Sequence, residues 1–211
     1  MKRTYVTVAA TAATALLAGS AILLWLGDED TPCRSGTTVA GGALGGPFEL
    51  VSETGDTVTD AQIIDRPSLI YFGYTYCPDV CPLDASRNAE ALDLLAERGH
   101  DNVQALFITV DPERDTPEVL TEYTDYMHPD MIGLTGTPEQ IRAAAKAYRV
   151  YYQRQGDDPA TYLVDHTFYT YLVTPEEGFV DILRGAPGAG GSEGQSAEDV
   201  AAITACYLER F

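Results

Sequence analysis

Short apolar runs alternate with capped helical segments along most of this chain. The runs "PSLIYFGYTY" (67–76) and "VQALFITV" (103–110) are apolar and aromatic, as is typical of central strands that are buried on both faces. A helical stripe with Pro82 at its first position and its end near Gly99 follows the first run, and a helix opened by Thr116 and Pro117 follows the second. This alternation predicts an α/β domain with a mixed sheet flanked by helices.

The rest of the chain continues the same pattern. Residues 48–63 alternate apolar and polar positions about a glycine turn, which predicts a β-hairpin. Two further helices are predicted to begin after the caps Thr137 and Ser196. A short strand is predicted at 131–136, and a pair of strands around a Pro/Gly turn at 167–183.

A glycine-rich segment, "GAPGAGGSEGQ" (185–195), separates the last predicted strand from the last helix. Its composition is similar to that of loops that bind phosphate. However, it has neither the Lys-Ser/Thr ending of a P-loop nor the G-x-G-x-x-G spacing of a dinucleotide site. It is predicted to be a flexible connecting loop.

The first 27 residues differ from the remainder of the chain. After Lys2 and Arg3, an uncharged stretch from Thr4 to Gly27 could cross, as a helix, a hydrocarbon core of about 30 Å. A cleaved secretory signal is the alternative, but the apolar residues continue past the small residues at 18–21 and no A-x-A site follows. The sequence predicts a membrane anchor at 1–27, a flexible tether at 28–46 and a folded domain at 47–211.

Charge is distributed unevenly around this stretch. Two of the 13 Lys and Arg residues precede it, whereas all 32 Asp and Glu residues follow it, and the net charge is −19. The bias predicts a single-pass protein whose N-terminus is cytoplasmic and whose domain lies across the membrane. Because no Arg-rich transit peptide comes first, we expect a bacterial inner membrane and a periplasmic domain. So acidic a domain repels nucleic acid, which is therefore not an expected partner.

Two cysteines, Cys77 and Cys81, follow the first buried strand at the predicted start of a helix. Residues four apart share one helix face, so the two sulfurs can approach one point. The partial positive charge of a helix N-terminus favours thiolate, which is both the nucleophile of disulfide exchange and a soft metal ligand. A redox pair, a pair of metal ligands and a structural disulfide all remain open at this point.

His166 is a candidate third partner, since it stands in "TYLVDHTFYTYLV" directly before a predicted strand. Taken alone, a histidine in such a position is more often a structural residue at a sheet edge than a ligand.

Three segments together resemble the Sco/SenC family, copper-binding proteins that assist assembly of the CuA centre of cytochrome c oxidase. They are "GYTYCPDVCP" (Gly73–Pro82), "VDPERDTP" (Val110–Pro117) and "VDHTFYTYLVTPEEGF" (Val164–Phe179), in the order found in the family. The resemblance covers about 47–211, together with the anchor. It implies a thioredoxin-like fold and copper held by Cys77, Cys81 and His166.

The resemblance further implies a membrane-anchored copper chaperone, rather than an enzyme, that delivers copper to the CuA site or prepares that site. Its expected partners are the copper-bearing subunit of cytochrome c oxidase and other copper carriers. Two thiolates suit Cu(I), and an added imidazole makes Cu(II) tolerable too. A structural zinc site usually has four ligands, and these motifs offer no fourth.

A thiol-disulfide oxidoreductase that reduces the cysteines of the CuA site is the alternative function. Thioredoxin-type reductants usually have a C-x-x-C motif and a proline that faces the cysteines. This chain has C-x-x-x-C, and it has "VDHT" where that proline loop would be expected. The departure favours metal binding.

Polar residues beside these motifs are assigned supporting roles. Asp79 and Asp165 are predicted either to orient the ligands or face a partner, or simply to solvate or cap local backbone. Asp111, Arg114 and Asp115 are predicted to be mainly loop and helix-capping structure.

Two more cysteines, Cys33 and Cys206, complete an even number, which favours pairing in an oxidising compartment. Such a disulfide would tie the tether to the last helix. Alternatively, Cys206 is a small buried hydrophobic residue.

Overall fold

The computed structural model describes residue 33, residues 44–191 and residues 193–210. Cys33 belongs to a unit formed by residues 1–34, and the elements below belong to a second unit, residues 35–211. The predicted anchor and most of the predicted tether lie outside the described residues. Within the described part of the chain, no helix is both long and apolar enough to span a membrane.

The strands carry most of the largest fully buried side chains. They are β1 (Glu49–Ser52), β2 (Thr57–Thr59), β3 (Ser68–Gly73), β4 (Gln104–Thr109), β5 (Met131–Thr135), β6 (Tyr152–Gln155), β7 (Leu163–His166), β8 (Thr170–Thr174) and β9 (Gly178–Leu183). Among the described residues, seven of them form one sheet in the order β2-β1-β5-β4-β3-β8-β9, and β6 pairs with β7 in a separate hairpin.

Helices flank this sheet. They are α1 (Asp60–Ile63), α2 (Val80–Glu97), α3 (Pro117–Met127), α4 (Pro138–Ala147) and α5 (Ala197–Leu208). The predicted mixed α/β sheet with flanking helices is therefore confirmed.

The three central strands run parallel to one another. β3 pairs with β4 and β4 with β5 in parallel, whereas the remaining pairs of the sheet are antiparallel. All residues of β3 and β4 are buried, as their apolar runs predict. Gly73 and Thr109 are paired in register at the carboxyl ends of these strands. The loops that follow them, which carry the cysteines and the "VDPERDTP" motif, therefore lie side by side where ligands bind in open α/β sheets.

Local sequence explains where three of the helices begin. The side chains of Thr116, Thr137 and Ser196 each accept a hydrogen bond from the backbone N–H three residues later. This is the usual role of an N-cap residue. Pro117 and Pro138 occupy the first helical turn, where the missing N–H has no partner to lose.

Helix α2 begins at Val80, two residues before the predicted start at Pro82. Proline is tolerated there because the first N–H groups of a helix have no partner within the helix. Consequently, Cys81 lies on the first turn of α2, whereas Cys77 lies in the preceding loop.

The hairpin β6–β7 was not predicted. β6 is polar and largely exposed, so it lacks the apolar alternation that identifies a strand. His166 is the last residue of β7 and pairs with Tyr152, and β8 begins only at Thr170. A three-residue loop, 167–169, therefore separates His166 from the strand that was predicted to follow it directly.

Candidate metal centre

The two cysteines approach each other at the N-terminus of α2. The backbone N–H of Cys81 donates to Cys77 Sγ at 3.4 Å, so the sulfur takes the position of a helix cap. Asp79, the N-cap residue by position, makes no capping hydrogen bond through its side chain. Cys77 is partly exposed, while Cys81 is fully buried. Cys77 is therefore the more accessible of the two residues.

The end of β7 places His166 beside this pair. Its Nε2 lies 3.2 Å from Cys81 Sγ. One candidate ligand atom from each of Cys77, Cys81 and His166 lies within 4.8 Å of the others, and this is the one such group in the described residues. The structure thus brings together the three residues singled out from the sequence.

The ring of His166 is held in an orientation that suits a ligand. Its Nδ1 lies 3.0 Å from the carbonyl oxygen of Thr167, which can only accept a hydrogen bond. In the neutral imidazole, Nδ1 therefore carries the proton and Nε2 presents its lone pair toward the sulfurs. The rings of Tyr71 and Tyr74 contact the imidazole edge to face, with centroids 6.2 and 5.8 Å away.

The two thiols differ in acidity. A hydrogen bond with Cys81 is the main cause that lowers the pKa of Cys77 to about 4, with help from the backbone N–H groups of Asp79 and Cys81. Burial, reinforced by the neighbouring Cys77, raises the pKa of Cys81 well above its usual range. In the metal-free pair, Cys77 is the thiolate and Cys81 is the thiol.

The loop before Cys77 is fixed by the second sequence motif. Asp115 accepts hydrogen bonds from the Thr75 backbone N–H at 3.0 Å, the Thr75 hydroxyl at 2.6 Å and the Thr109 hydroxyl at 2.6 Å. Asp115 is fully buried, and this burial raises the pKa of its carboxyl group. The carboxylate thus joins β4 to the cysteine loop, a role more specific than general loop structure.

The same motif also holds the hairpin that carries His166. Asp111 accepts hydrogen bonds from the Tyr162 hydroxyl and from Arg114 Nε, each at 2.5 Å. The Arg114 guanidinium lies 3.6 Å from the centroid of the Tyr162 ring, on which it stacks. Tyr74 adds a direct link, since its hydroxyl accepts a hydrogen bond from the Val164 N–H at 3.2 Å.

The remaining predicted residues lie outside this arrangement. Asp165 is exposed and accepts a hydrogen bond from Gln155 Nε2 at 2.8 Å. Adjacent strand residues point to opposite faces, so its side chain points away from that of His166. Cys33 and Cys206 are each disulfide-bonded, so Cys206 is not a free buried thiol.

Sequence reasoning overlooked Tyr71, Tyr74 and Tyr162. Their only signal was the aromatic content of "YFGYTY" and "TYLV", which is equally typical of buried core.

Comparison with known proteins identifies the family. The SCO1/SenC family model matches residues 37–204. The chain belongs to the SCO1/SenC family. It is 54% identical over 206 residues to Protein SenC of Rhodobacter capsulatus, covering 95% of this chain and 89% of the relative. It is 42% identical over 147 residues to Protein SCO1 homolog 1, mitochondrial, of Arabidopsis thaliana, covering 70% of this chain and 44% of that longer protein.

The fold is shared with solved members of the SCO1/SenC family. The crystal structure of Arabidopsis thaliana ScoI with copper bound matches with a TM-score of 0.72 and 36% identity, covering 80% of this chain and 100% of that chain. The thioredoxin-like fold implied by the sequence resemblance is thereby confirmed for the SCO1/SenC domain described here. A thiolate, a second thiol and an imidazole form a donor set that favours soft, thiophilic metal ions.

Proposed function

We propose that this protein is a copper carrier that binds copper through Cys77, Cys81 and His166 and delivers it to the CuA site of cytochrome c oxidase. Copper is the cargo of this reaction rather than a resident cofactor. Membership of the SCO1/SenC family and the copper-bound structure of the Arabidopsis relative support the proposal.

One observation carries it: His166 Nε2 lies 3.2 Å from Cys81 Sγ, with Nδ1 bonded to the Thr167 carbonyl. Disulfide exchange requires two sulfurs and no imidazole. A third donor aimed at the sulfurs is what a metal site requires, and two thiolates with one imidazole suit both Cu(I) and Cu(II).

The three proposed ligands have different roles in the binding and release of copper. Cys77 is already a thiolate, whereas Cys81 loses its proton when it becomes a ligand. Because Cys77 is partly exposed and Cys81 is buried, a ligand of the receiving protein meets Cys77 first. Tyr71 and Tyr74 pack against the His166 ring and keep it in place while ligands of the receiving protein replace the cysteines on copper.

The uncharged stretch Thr4–Gly27 anchors the carrier in a bacterial inner membrane, with the domain in the periplasm. The charge difference between the two sides of this stretch supports that orientation. There the domain meets the copper-bearing subunit of the oxidase and the carriers that load it. Asp79 is exposed beside the cysteines and faces these partners.

A second candidate function rests on the acidity of Cys77. A partly exposed thiolate next to a buried thiol is the arrangement expected of a dithiol reductant, here one that reduces the cysteines of the CuA site.

The two functions are separated in cells that carry only a His166→Ala protein and are grown with limiting copper. A carrier fails to support oxidase assembly, even when the variant is stable and its two thiols are intact. A reductant still supports it, because both sulfurs remain. Normal oxidase assembly with this variant would therefore contradict the carrier function and favour the reductant function.

A further inference from the structure

His166 is the last residue of β7. The three-residue loop that follows it, 167–169, packs against a segment that is not part of the metal site. Phe168, in the middle of this loop, packs on the glycine-rich segment after β9. A Cβ placed on Gly190 would lie 2.6 Å from Phe168 Cζ, and one placed on Gly185 would lie 2.9 Å from Phe168 Cδ2. Both distances are shorter than real Cβ contacts, so the ring rests directly on glycine backbone.

Helix α2, which carries Cys81, is in turn hydrogen-bonded to the backbone of this glycine-rich segment and of the residue before it. Asp84 Oδ1 accepts a hydrogen bond from the Ala186 N–H at 2.5 Å, and Arg87 Nη1 donates to the Arg184 carbonyl oxygen at 2.9 Å. The side chains of Asp84 and Arg87 are 0% and 4% exposed and lie 3.5 Å apart. Both members of this buried pair are thus hydrogen-bonded to the backbone on either side of Gly185.

Arg87 also reaches the other end of the histidine loop. Its Nη2 donates to the Thr170 hydroxyl at 2.9 Å, and Asn88 Nδ2 donates to the same oxygen at 3.1 Å. The loop is thus connected to the cysteine helix at Thr170 directly, and at Phe168 through residues 184–190.

We propose that Phe168, packed on Gly185 and Gly190, is a positioning residue that fixes His166 beside the cysteine pair. Asp84 and Arg87 attach the glycine-rich segment to helix α2. The glycine-rich segment is therefore part of the metal site's scaffold rather than only a connection. This inference rests on the proposed copper function. Disturbing the position of His166 should weaken the binding of Cu(II), which depends on the imidazole, more than that of Cu(I), for which two thiolates suffice.

Two glycines of the same segment provide a matched pair for a test. Gly188 and Gly190 both have a left-handed backbone, with φ of +87° and +57°, so alanine is strained at either position. However, a Cβ on Gly188 has nothing within 4 Å, while one on Gly190 meets the Phe168 ring. Gly188→Ala is thus the control for backbone strain.

The experiment measures Cu(II) and Cu(I) affinity and the Cu(II) EPR spectrum of the full chain in detergent. We expect Gly190→Ala to weaken Cu(II) binding by about tenfold or more and to change the EPR spectrum, with Cu(I) affinity within about threefold of wild type. Gly188→Ala should match wild type in both affinities and in the spectrum. Identical Cu(II) affinities and spectra for the two variants would overturn the proposal.

A further variant, Phe168→Leu, covers the case in which Gly190→Ala does not fold. Phe168→Leu removes the ring atoms nearest to Gly190 without straining the backbone, and it should also weaken Cu(II) selectively. Where both single variants fold, Gly190→Ala should add little to Phe168→Leu, because the ring it displaces is absent. Wild-type Cu(II) binding by Phe168→Leu would refute the positioning role.

The His166 imidazole resonances of the metal-free chain separate this inference from the proposed function. They should shift in Gly190→Ala and Phe168→Leu but not in Gly188→Ala. If these shifts occur but the wild-type chain binds no copper, the copper function fails and the positioning stands. If copper binds and no shift occurs, the positioning fails alone.

Discussion

Cys81 Sγ and His166 Nε2 lie 3.2 Å apart, although 85 positions of sequence separate the two residues. The sulfur comes from the first turn of α2 and the nitrogen from the end of β7. Two buried hydrogen bonds hold the surrounding segments together, one from the Val164 N–H of β7 to Tyr74 in the loop before α2, and one from Arg87 of α2 to Thr170 at the start of β8. The candidate metal centre is therefore a product of the tertiary fold and not of any one motif.

Replacing His166 with alanine should weaken Cu(II) binding by about 100-fold or more, which corresponds to about 2.7 kcal/mol. Cu(I) binding should fall by less than about tenfold, since two thiolates hold that ion. Competition titrations of the full chain with each ion provide the measurement. His128→Ala is the control, because His128 contacts Asp93 and Asp130 instead of the cysteines. Equal losses for Cu(I) and Cu(II) would remove His166 from its proposed role.

Alkylation of the metal-free, reduced chain should distinguish the two thiols by pH. The nucleophile is the thiolate, so Cys77 should stay reactive as the pH falls and lose reactivity only near its pKa of about 4. Cys81 should react slowly throughout the range in which the protein is folded, because burial keeps it protonated. Mass spectrometry of the labelled peptides gives both rates.

The acidity of Cys77 should depend on the hydrogen bond from Cys81, its largest cause. Cys81→Ala should therefore move the pH dependence of Cys77 alkylation upward by at least about one pH unit, or about 1.4 kcal/mol. Cys81→Ser retains a donor at this position and should move it less. Identical profiles for these two variants would show that the hydrogen bond is not the cause.

Asp115→Asn should destabilise the domain by about 2–4 kcal/mol, because a buried carboxylate that accepts three hydrogen bonds is replaced by a group with one acceptor oxygen. Denaturant unfolding provides the measurement. Asp125→Asn, on the exposed face of α3, is the matched control and should change stability by less than about 0.5 kcal/mol. Equal stability of the two variants would mean that Asp115 does not hold the cysteine loop.

Membrane topology is tested by protease added outside the inner membrane. The domain should be digested and a short fragment that contains the uncharged stretch Thr4–Gly27 should remain protected. Recovery of a mature chain that begins near Ala21 would show instead that the stretch is a cleaved signal.

Much of the fold could be predicted because its signals are local. The apolar runs of β3 and β4 and the caps at Thr116, Thr137 and Ser196 depend on residues close in sequence. The hairpin β6–β7 escaped prediction because β6 is polar and largely exposed, so it lacks the apolar alternation that identifies a strand. The start of α2 was misplaced because proline is accepted anywhere in the first turn of a helix.

The candidate site was only partly predictable. Cys77, Cys81 and His166 were recognised from three motifs taken together, but their 4.8 Å grouping is visible only in the fold. The links of Asp115 to Thr75 and of Phe168 to Gly190 join distant segments, and nothing in the local sequence of either partner specifies the other. Such contacts follow from packing.

Copper titration of the full chain in detergent tests the carrier function most directly. The chain with both free thiols reduced should bind one copper ion, and bound copper should protect Cys77 and Cys81 from alkylation. Oxidation of these two cysteines to a disulfide should abolish binding, because no thiolate remains. Copper binding that survives this oxidation, or copper that leaves both thiols reactive, would contradict a site built from Cys77, Cys81 and His166.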